Sequence, residues 1–242
     1  MTSDPTPKTD RTEEERAYYL LQKRVWPFLA PFYEPAVFLP LHKLRRQVAS
    51  SVPLPPGARV LDVATGTGGQ ARAFAARAHE VVGVDMSAAM LRVARRKNHA
   101  PNVDFQQADA ARLPFGDRSF DAACISFALH EMPASIRDRV LAEMVRVTKP
   151  GAWIILVDYR LPSNRIVRWL AFHLVRAYEG VLYARFMAAD LVAVLESAGI
   201  HVVAQQSALA GLGRILIGTR AAHRPGEEGA QAAQWMEGSS SS

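Results

Sequence analysis

The sequence predicts an α/β protein: a doubly wound, mostly parallel seven-stranded sheet, preceded by a helical cap and interrupted after its fifth strand by a helical insertion. Three observations predict it. Short apolar runs alternate with helix-length amphipathic stretches between about residues 58 and 160, and such βαβ alternation returns each strand parallel to the last. A glycine-rich turn, Gly66-Thr67-Gly68-Gly69, joins the first run to its helix. Finally, 49% of the 242 residues are apolar, enough for one sizeable core but not for two full domains.

Residues 1–14 are polar and proline-containing, and disorder is expected there. From Glu13 to Ser51 the pattern is helical but carries Pro27, Pro31, Pro35 and Pro40, so a cap of short helices, 15–52, is expected, each ended by a proline's missing N–H. Tyr18, Tyr19, Trp26, Phe28, Phe32, Tyr33 and Phe38 concentrate in it, which suits either a lid over an apolar substrate or a layer that only covers the sheet. Pro53-Leu54-Pro55-Pro56-Gly57 then leads into the main domain, 53–220. Strands are expected at 58–65, 79–86, 102–109, 120–127 and 152–159, with helices at 69–78, 87–98 and 134–147 between them. A helix at 188–197, stopped by Gly199, leads to two more strands at 201–208 and 213–219. In the insertion, 164–186, Arg165, Arg168, Trp169, Phe172, His173 and Arg176 share one helical arc opposite a broad apolar face. A packed helix with a solvated basic face fits this pattern, and so does a helix lying on a membrane surface. The tail, 221–242, is rich in Gly, Ala and Ser and is expected to be disordered.

The chemistry concentrates at the predicted strand ends. Val60-Leu61-Asp62-Val63-Ala64-Thr65-Gly66-Thr67-Gly68-Gly69 runs from a buried strand through glycines into a helix, where backbone N–H groups can meet a ligand closely. Asp85 closes the next apolar run, Val81-Val82-Gly83-Val84, where an acid can hold both hydroxyls of a ribose. Together they indicate an adenosine-containing ligand. Gly66-Thr67-Gly68-Gly69-Gln70-Ala71 also satisfies the G-x-G-x-x-A fingerprint of dinucleotide binders. A carboxylate at Asp62 would repel a pyrophosphate and suit an ammonium or sulfonium group, which favours S-adenosylmethionine over a nicotinamide dinucleotide.

Further along, Asn102 to Ala110 reads as a strand ending in the acid Asp109, Phe120 to Glu131 as an apolar strand delivering polar groups at its end, and Thr148-Lys149-Pro150-Gly151 as a turn into another buried strand. From Val60 to Tyr159 the chain resembles the class I S-adenosylmethionine-dependent methyltransferases. Within them it looks most like the ubiquinone/menaquinone C-methyltransferase branch, through VLDVATGTG, ARLPFGDRSFDAACISFALHEM and VTKPGAWIILVDY, with Phe32-Tyr33-Glu34 as a weaker upstream likeness. Where that branch carries an Arg-Asn pair, this chain has His130-Glu131, and Asp109 stands near a position that is often Asn in the branch.

The resemblance implies a Rossmann-like methyltransferase fold whose last two strands form an antiparallel hairpin at the sheet edge. It also implies a cofactor site. Asp62 would face the methionyl ammonium, with Ala64, Thr65 and Thr67 in the ordered loop and Gly66 and Gly68 admitting the cofactor to the backbone. Asp85 would hold the ribose, Met86 would lie against adenine, and Asp109 and the Ala110 N–H would bind the adenine edge. Ser126 and Phe127 would offer carbonyls to the ammonium. His130 is the candidate base, with Glu131 orienting it or binding the acceptor. Tyr19, Tyr33, His130 and Tyr159 are the candidate acceptor contacts. The expected function is methyl transfer to a small lipophilic acceptor, a quinol, a phenol or a lipid headgroup amine; the alternative is a regulatory or degenerate cofactor-binding module.

A net charge of +6 is compatible with nucleic acid, but the arginines are spread over helices rather than gathered in a stripe with stacking aromatics, which argues against it. Peripheral contact with an anionic membrane through 164–178 accounts for the charge equally well. With Cys124 as its single cysteine the chain cannot form an internal disulfide. With no signal-like N-terminus and no apolar stretch of spanning length, a cytoplasmic protein is expected. No cluster has metal-ligand spacing, so no metal is expected.

Overall fold

The computed structural model of the chain describes residues 11–161, 165, 169, 173 and 181–220, without the side chains of 23, 25–40, 181 and 182. Tyr33's side chain, most of the insertion, residues 1–10 and the tail therefore lie outside the described residues. Seven strands form one sheet: β1 Arg59–Val63, β2 Glu80–Asp85, β3 Val103–Gln107, β4 Phe120–Ser126, β5 Thr148–Tyr159, β6 Ile200–Ala208 and β7 Gly213–Arg220. Their order is β3-β2-β1-β4-β5-β7-β6. The first five pair in parallel, and β7 runs antiparallel between β5 and the edge strand β6. Strand order reverses between β1 and β4, which opens a crevice at their carboxyl ends.

Both faces of the sheet are covered, so its central strands are apolar on both sides, while the edge strands β3 and β6 carry exposed polar residues. Leu61, Val82, Ala123, Ile154 and Leu216 belong to one core, with Ile136, Val140, Leu141 and Met144 of helix α4 (Ala134–Val147). Val60, Val81, Ala122, Ile155 and Ile217 belong to the other, with Ala71 and Phe74 of α2 (Gly69–Phe74) and Leu91 and Ala94 of α3 (Ala88–Lys97).

Helix α1, Glu13–Ser50, spans both cores: Tyr18 and Tyr19 join the first, and Leu44, Val48 and Ala49 the second. Its continuity departs from the expected cap of short helices. Pro27, Pro31 and Pro35 recur about one turn apart, so the missing N–H donors fall along one side of the continuous helix. The helix starts at Glu13, where Thr12 Oγ1 accepts the Glu15 N–H and Glu13, Glu14 and Glu15 suit the positive end of the helix dipole. The helix expected at 188–197 is α6, Leu191–Ser197, which starts where Asp190 Oδ1 accepts the Val192 and Ala193 N–H groups; α5, Val181–Ala188, precedes it at the end of the expected insertion. Among the described residues no helix is long and apolar enough to cross a membrane.

Candidate active site

The loop after β1 is built by backbone that only a few residues tolerate. Ala64, Gly66 and Gly68 all have positive φ, at 52°, 55° and 76°. The turn is tied to β2, because Thr65 N–H donates to the Val84 carbonyl and Gly66 N–H to Asp85 Oδ2, at 2.9 and 2.8 Å. Asp85 Oδ1 accepts the Ser87 N–H at 2.8 Å, so each carboxylate oxygen is fixed by one backbone donor. Burial pushes the Asp85 carboxyl up from its ordinary value, against those two hydrogen bonds.

Asp62, only 1% exposed, accepts from Thr65 Oγ1 and from the Ala71 N–H at the start of α2. Burial pushes its carboxyl up to about 7, opposed by these hydrogen bonds and by the charge of Arg45. The glycines that follow have distinct causes. A Cβ at Gly66 would meet nothing, so the residue serves the turn. A Cβ at Gly68 would stand 2.5 Å from Phe105 Cζ, and one at Gly69 2.3 Å from Arg45 Cζ, so those two make room for neighbours.

At the end of β4, Phe127 also takes a positive φ of 51°, held by its N–H on the Val157 carbonyl at 2.7 Å. A phenylalanine in that conformation is strained on the order of 1–3 kcal/mol, which the surrounding sheet must offset. The 3-10 turn Leu129–Glu131 follows.

These strand ends, α1 and α4 line a cavity that is partly open to solvent. Of the residues singled out by sequence, Asp62, Ala64, Thr65, Gly66, Thr67, Asp85, Met86, Asp109, Ala110, Ser126, Phe127 and Glu131 lie on its wall. Gly68, Tyr19, His130 and Tyr159 do not. Tyr19 instead donates from its hydroxyl to Asp109 Oδ2 at 2.8 Å, while Asp109 Oδ1 accepts the Ala111 N–H at 2.9 Å.

His130 turns inward, 2% exposed, with Nδ1 2.8 Å from Asp158 Oδ1 and Nε2 3.9 Å from Glu131 Oε1. Its ring packs edge-on to Tyr159, Phe186 and Tyr183, with centroids 4.7, 6.2 and 6.5 Å away. Asp158 is as buried as its partner and also accepts the backbone N–H groups of Leu129, His130 and Tyr159, at 3.1, 3.3 and 2.8 Å. Glu131 therefore carries the turn's ionisable group on the wall, where its Oε2 accepts from Gln22 Nε2 at 3.2 Å.

Sequence reasoning missed several wall residues: Tyr18 and Gln22 near the start of α1, Arg45 near its end, and Met132, Ile136 and Val140 on or before α4. The turn-spaced set Leu41, Leu44, Arg45 and Val48 carried a signal for Arg45, because it marks the side of α1 that meets the sheet. Nothing local in the sequence marked Asp158 as the partner of His130. Among the described residues no three His, Cys, Asp or Glu side chains gather as a metal-binding group.

Residues 60–151 match the family described as "Methyltransferase domain". A demethylmenaquinone methyltransferase of Renibacterium salmoninarum is 44% identical over 119 residues, which cover 49% of this chain and 48% of that protein. A phthiotriol/phenolphthiotriol dimycocerosates methyltransferase of Mycobacterium ulcerans is 39% identical over 117 residues, covering 48% and 42%. The chain spans about half the length of the curated relatives it matches. The crystal structure of a SAM-dependent methyltransferase from Aquifex aeolicus superposes with a TM-score of 0.64 at 19% identity, over 80% of this chain and 98% of that one, which establishes a shared fold.

Proposed function

We propose that this chain, whose residues 60–151 match a methyltransferase domain, transfers the methyl group of S-adenosylmethionine to a small lipophilic acceptor such as a quinol, a phenol or a lipid headgroup amine. One observation carries the reading: a single cavity joins the strand-end acids Asp62, Asp85 and Asp109 to an apolar wall of Phe127, Met132, Ile136 and Val140. The relatives named for demethylmenaquinone and for phthiotriol and phenolphthiotriol dimycocerosates support an apolar acceptor class.

The residues present fit the cofactor. Asp85 has each oxygen held by one backbone N–H and lone pairs left for the ribose hydroxyls. Met86 and Ala110 would flank the adenine, with Asp109 at its edge, and Asp62, Ser126 and Phe127 would receive the ammonium end. Bound there, the cofactor supplies a methyl group made electrophilic by its sulfonium sulfur. The protein's tasks are alignment and dryness: the apolar wall keeps water from the charged group, which is harder to keep poorly solvated than the dispersed transition state. Glu131, on the wall beside Tyr18 and Gln22, would hold the acceptor's hydroxyl or amine and receive its proton. His130 and Asp158 act through Glu131, by fixing the turn that carries it, and are positioning residues.

Contact with an anionic membrane surface is a second reading, favoured by Arg165, Trp169 and His173. They stand exposed at successive helical turns, Trp169 at 62%, a stripe suited to delivering a lipid-like acceptor. The deciding experiment is transfer of a tritiated methyl group from S-adenosylmethionine into a membrane-lipid extract. Label in the organic phase is expected. Tight S-adenosylhomocysteine binding without incorporation into any fraction would overturn the enzyme reading in favour of a binding module.

A further inference from the structure

The last turns of α1 bring a cation to the glycine loop that the roles above leave unused. Leu44, Val48 and Ala49 bury this part of α1 against the sheet, and Gln70 Nε2 donates to the Arg45 carbonyl at 3.1 Å, fixing the helix backbone beside the loop. The Arg45 guanidinium lies directly over Gly69. A Cβ on that glycine would stand 2.3 Å from Cζ, 2.5 Å from Nη1 and 2.6 Å from Nε, far inside contact distance. Gly69 has no positive φ; a side chain there would have to push the guanidinium aside from the place it holds over the loop.

Arg45 and Asp62 line the same cavity, and Arg45 is among the charges opposing the burial of Asp62. The loop therefore presents a planar cation and a buried carboxylate together. That pair is the complement of an α-amino acid head group, which carries one charge of each sign on a single carbon. A guanidinium also suits the carboxylate half by geometry, since its fork of N–H donors matches two oxygens.

Resting on the cofactor reading above, we infer that Arg45 takes the carboxylate of the cofactor's methionine portion while Asp62 answers its ammonium group, so that α1 completes the cofactor site. Two ligands separate this from a packing role: S-adenosylhomocysteine and its decarboxylated analogue, which keeps the ammonium group and loses only the carboxylate. Calorimetric titration of the full chain is expected to show the wild type preferring the first by roughly 10- to 100-fold, the range for a charge-assisted pair. In Arg45→Met the preference collapses to about one, because only the carboxylate-bearing ligand loses affinity, and Arg45→Lys, which keeps the charge without the fork, falls between. Retained binding of the decarboxylated analogue shows that Arg45→Met is folded. Equal weakening of both ligands in Arg45→Met, or a preference that survives it, would overturn the assignment. So would equal preferences in Arg45→Met and Arg45→Lys. Wild-type protein that binds neither ligand would overturn the cofactor reading itself, a different result.

Discussion

Lowering the pH below 7 is expected to weaken cofactor binding, and Asp62 is the reason. Burial raises its carboxyl to about 7, so in the empty protein at pH 6 the neutral acid predominates. A cationic ammonium group brought to the same wall favours the carboxylate. The pKa falls on binding and a proton leaves, so affinity rises with pH up to about 7 and levels off above it. On the acid side each pH unit costs about tenfold in affinity, or about 1.4 kcal/mol, until the pKa of the bound state is reached. Titrations of S-adenosylhomocysteine in buffers of different ionisation enthalpy report both quantities, the affinity slope and the proton released. Asp62→Asn should abolish both. The same raised pKa bears on folding: the share of stability from Asp62 is complete below the ordinary carboxylate value of about 4 and is lost as pH rises through about 7. The pH profile of urea unfolding in the ligand-free protein should therefore flatten over that window in Asp62→Asn. A wild-type affinity independent of pH, or a slope that survives in Asp62→Asn, would refute the reasoning.

Three further outcomes are expected. Asp85→Ala should weaken S-adenosylhomocysteine by about 1.5–3 kcal/mol, the range for hydrogen bonds to a charged group, with NAD unable to compete in calorimetry; NAD bound in preference would refute the ribose assignment. Reversing the charge at Arg165, Arg168 and Arg176 should reduce co-sedimentation with anionic vesicles by roughly 1 kcal/mol per arginine at low salt, whereas equal partitioning of wild type and variant would leave only a packing role. Glu131→Gln should lower turnover by about two to four orders of magnitude with cofactor affinity nearly unchanged, as for loss of a general base. His130→Gln should lower it less and leave the pH dependence of the rate in place. Loss of that pH dependence in His130→Gln alone would return the base role to the histidine.

The fold was legible because its signals are local and repeated. Apolar runs ended near Asp62, Asp85 and Ser126, and a fourth strand that leads to Asp109, mark the strand ends, and a parallel sheet with its order reversing between β1 and β4 sets all four residues on one crevice. The length of α1 was not legible, since a proline reads as a helix stop. Whether several of them end a helix depends on what the two ends pack against, here the cores on opposite faces of the sheet.

At the site the sequence located segments better than it located side chains, and the reason is angular. Tyr18 and Tyr19 both stood out as cap aromatics, yet a turn of about 100° per residue sends Tyr18 to the cavity and the Tyr19 hydroxyl to Asp109. Gly66 and Gly68 are the glycines expected to admit the cofactor, yet Gly68 packs on Phe105, and Gly66 and Gly69 are the ones on the wall. In the 3-10 turn, where three residues complete a revolution, His130 and Glu131 point about 120° apart, one toward Asp158 and the other into the cavity. Such phases are set by long-range partners. Asp158, 28 residues beyond His130, engages both the imidazole and the backbone N–H groups of the turn, so the strand that anchors the histidine also fixes the turn whose glutamate lines the cavity. A substitution at Asp158 should therefore disturb Glu131 before it disturbs the cofactor, and an Asp158→Asn variant whose S-adenosylhomocysteine affinity fell as far as its turnover would break that chain of dependence.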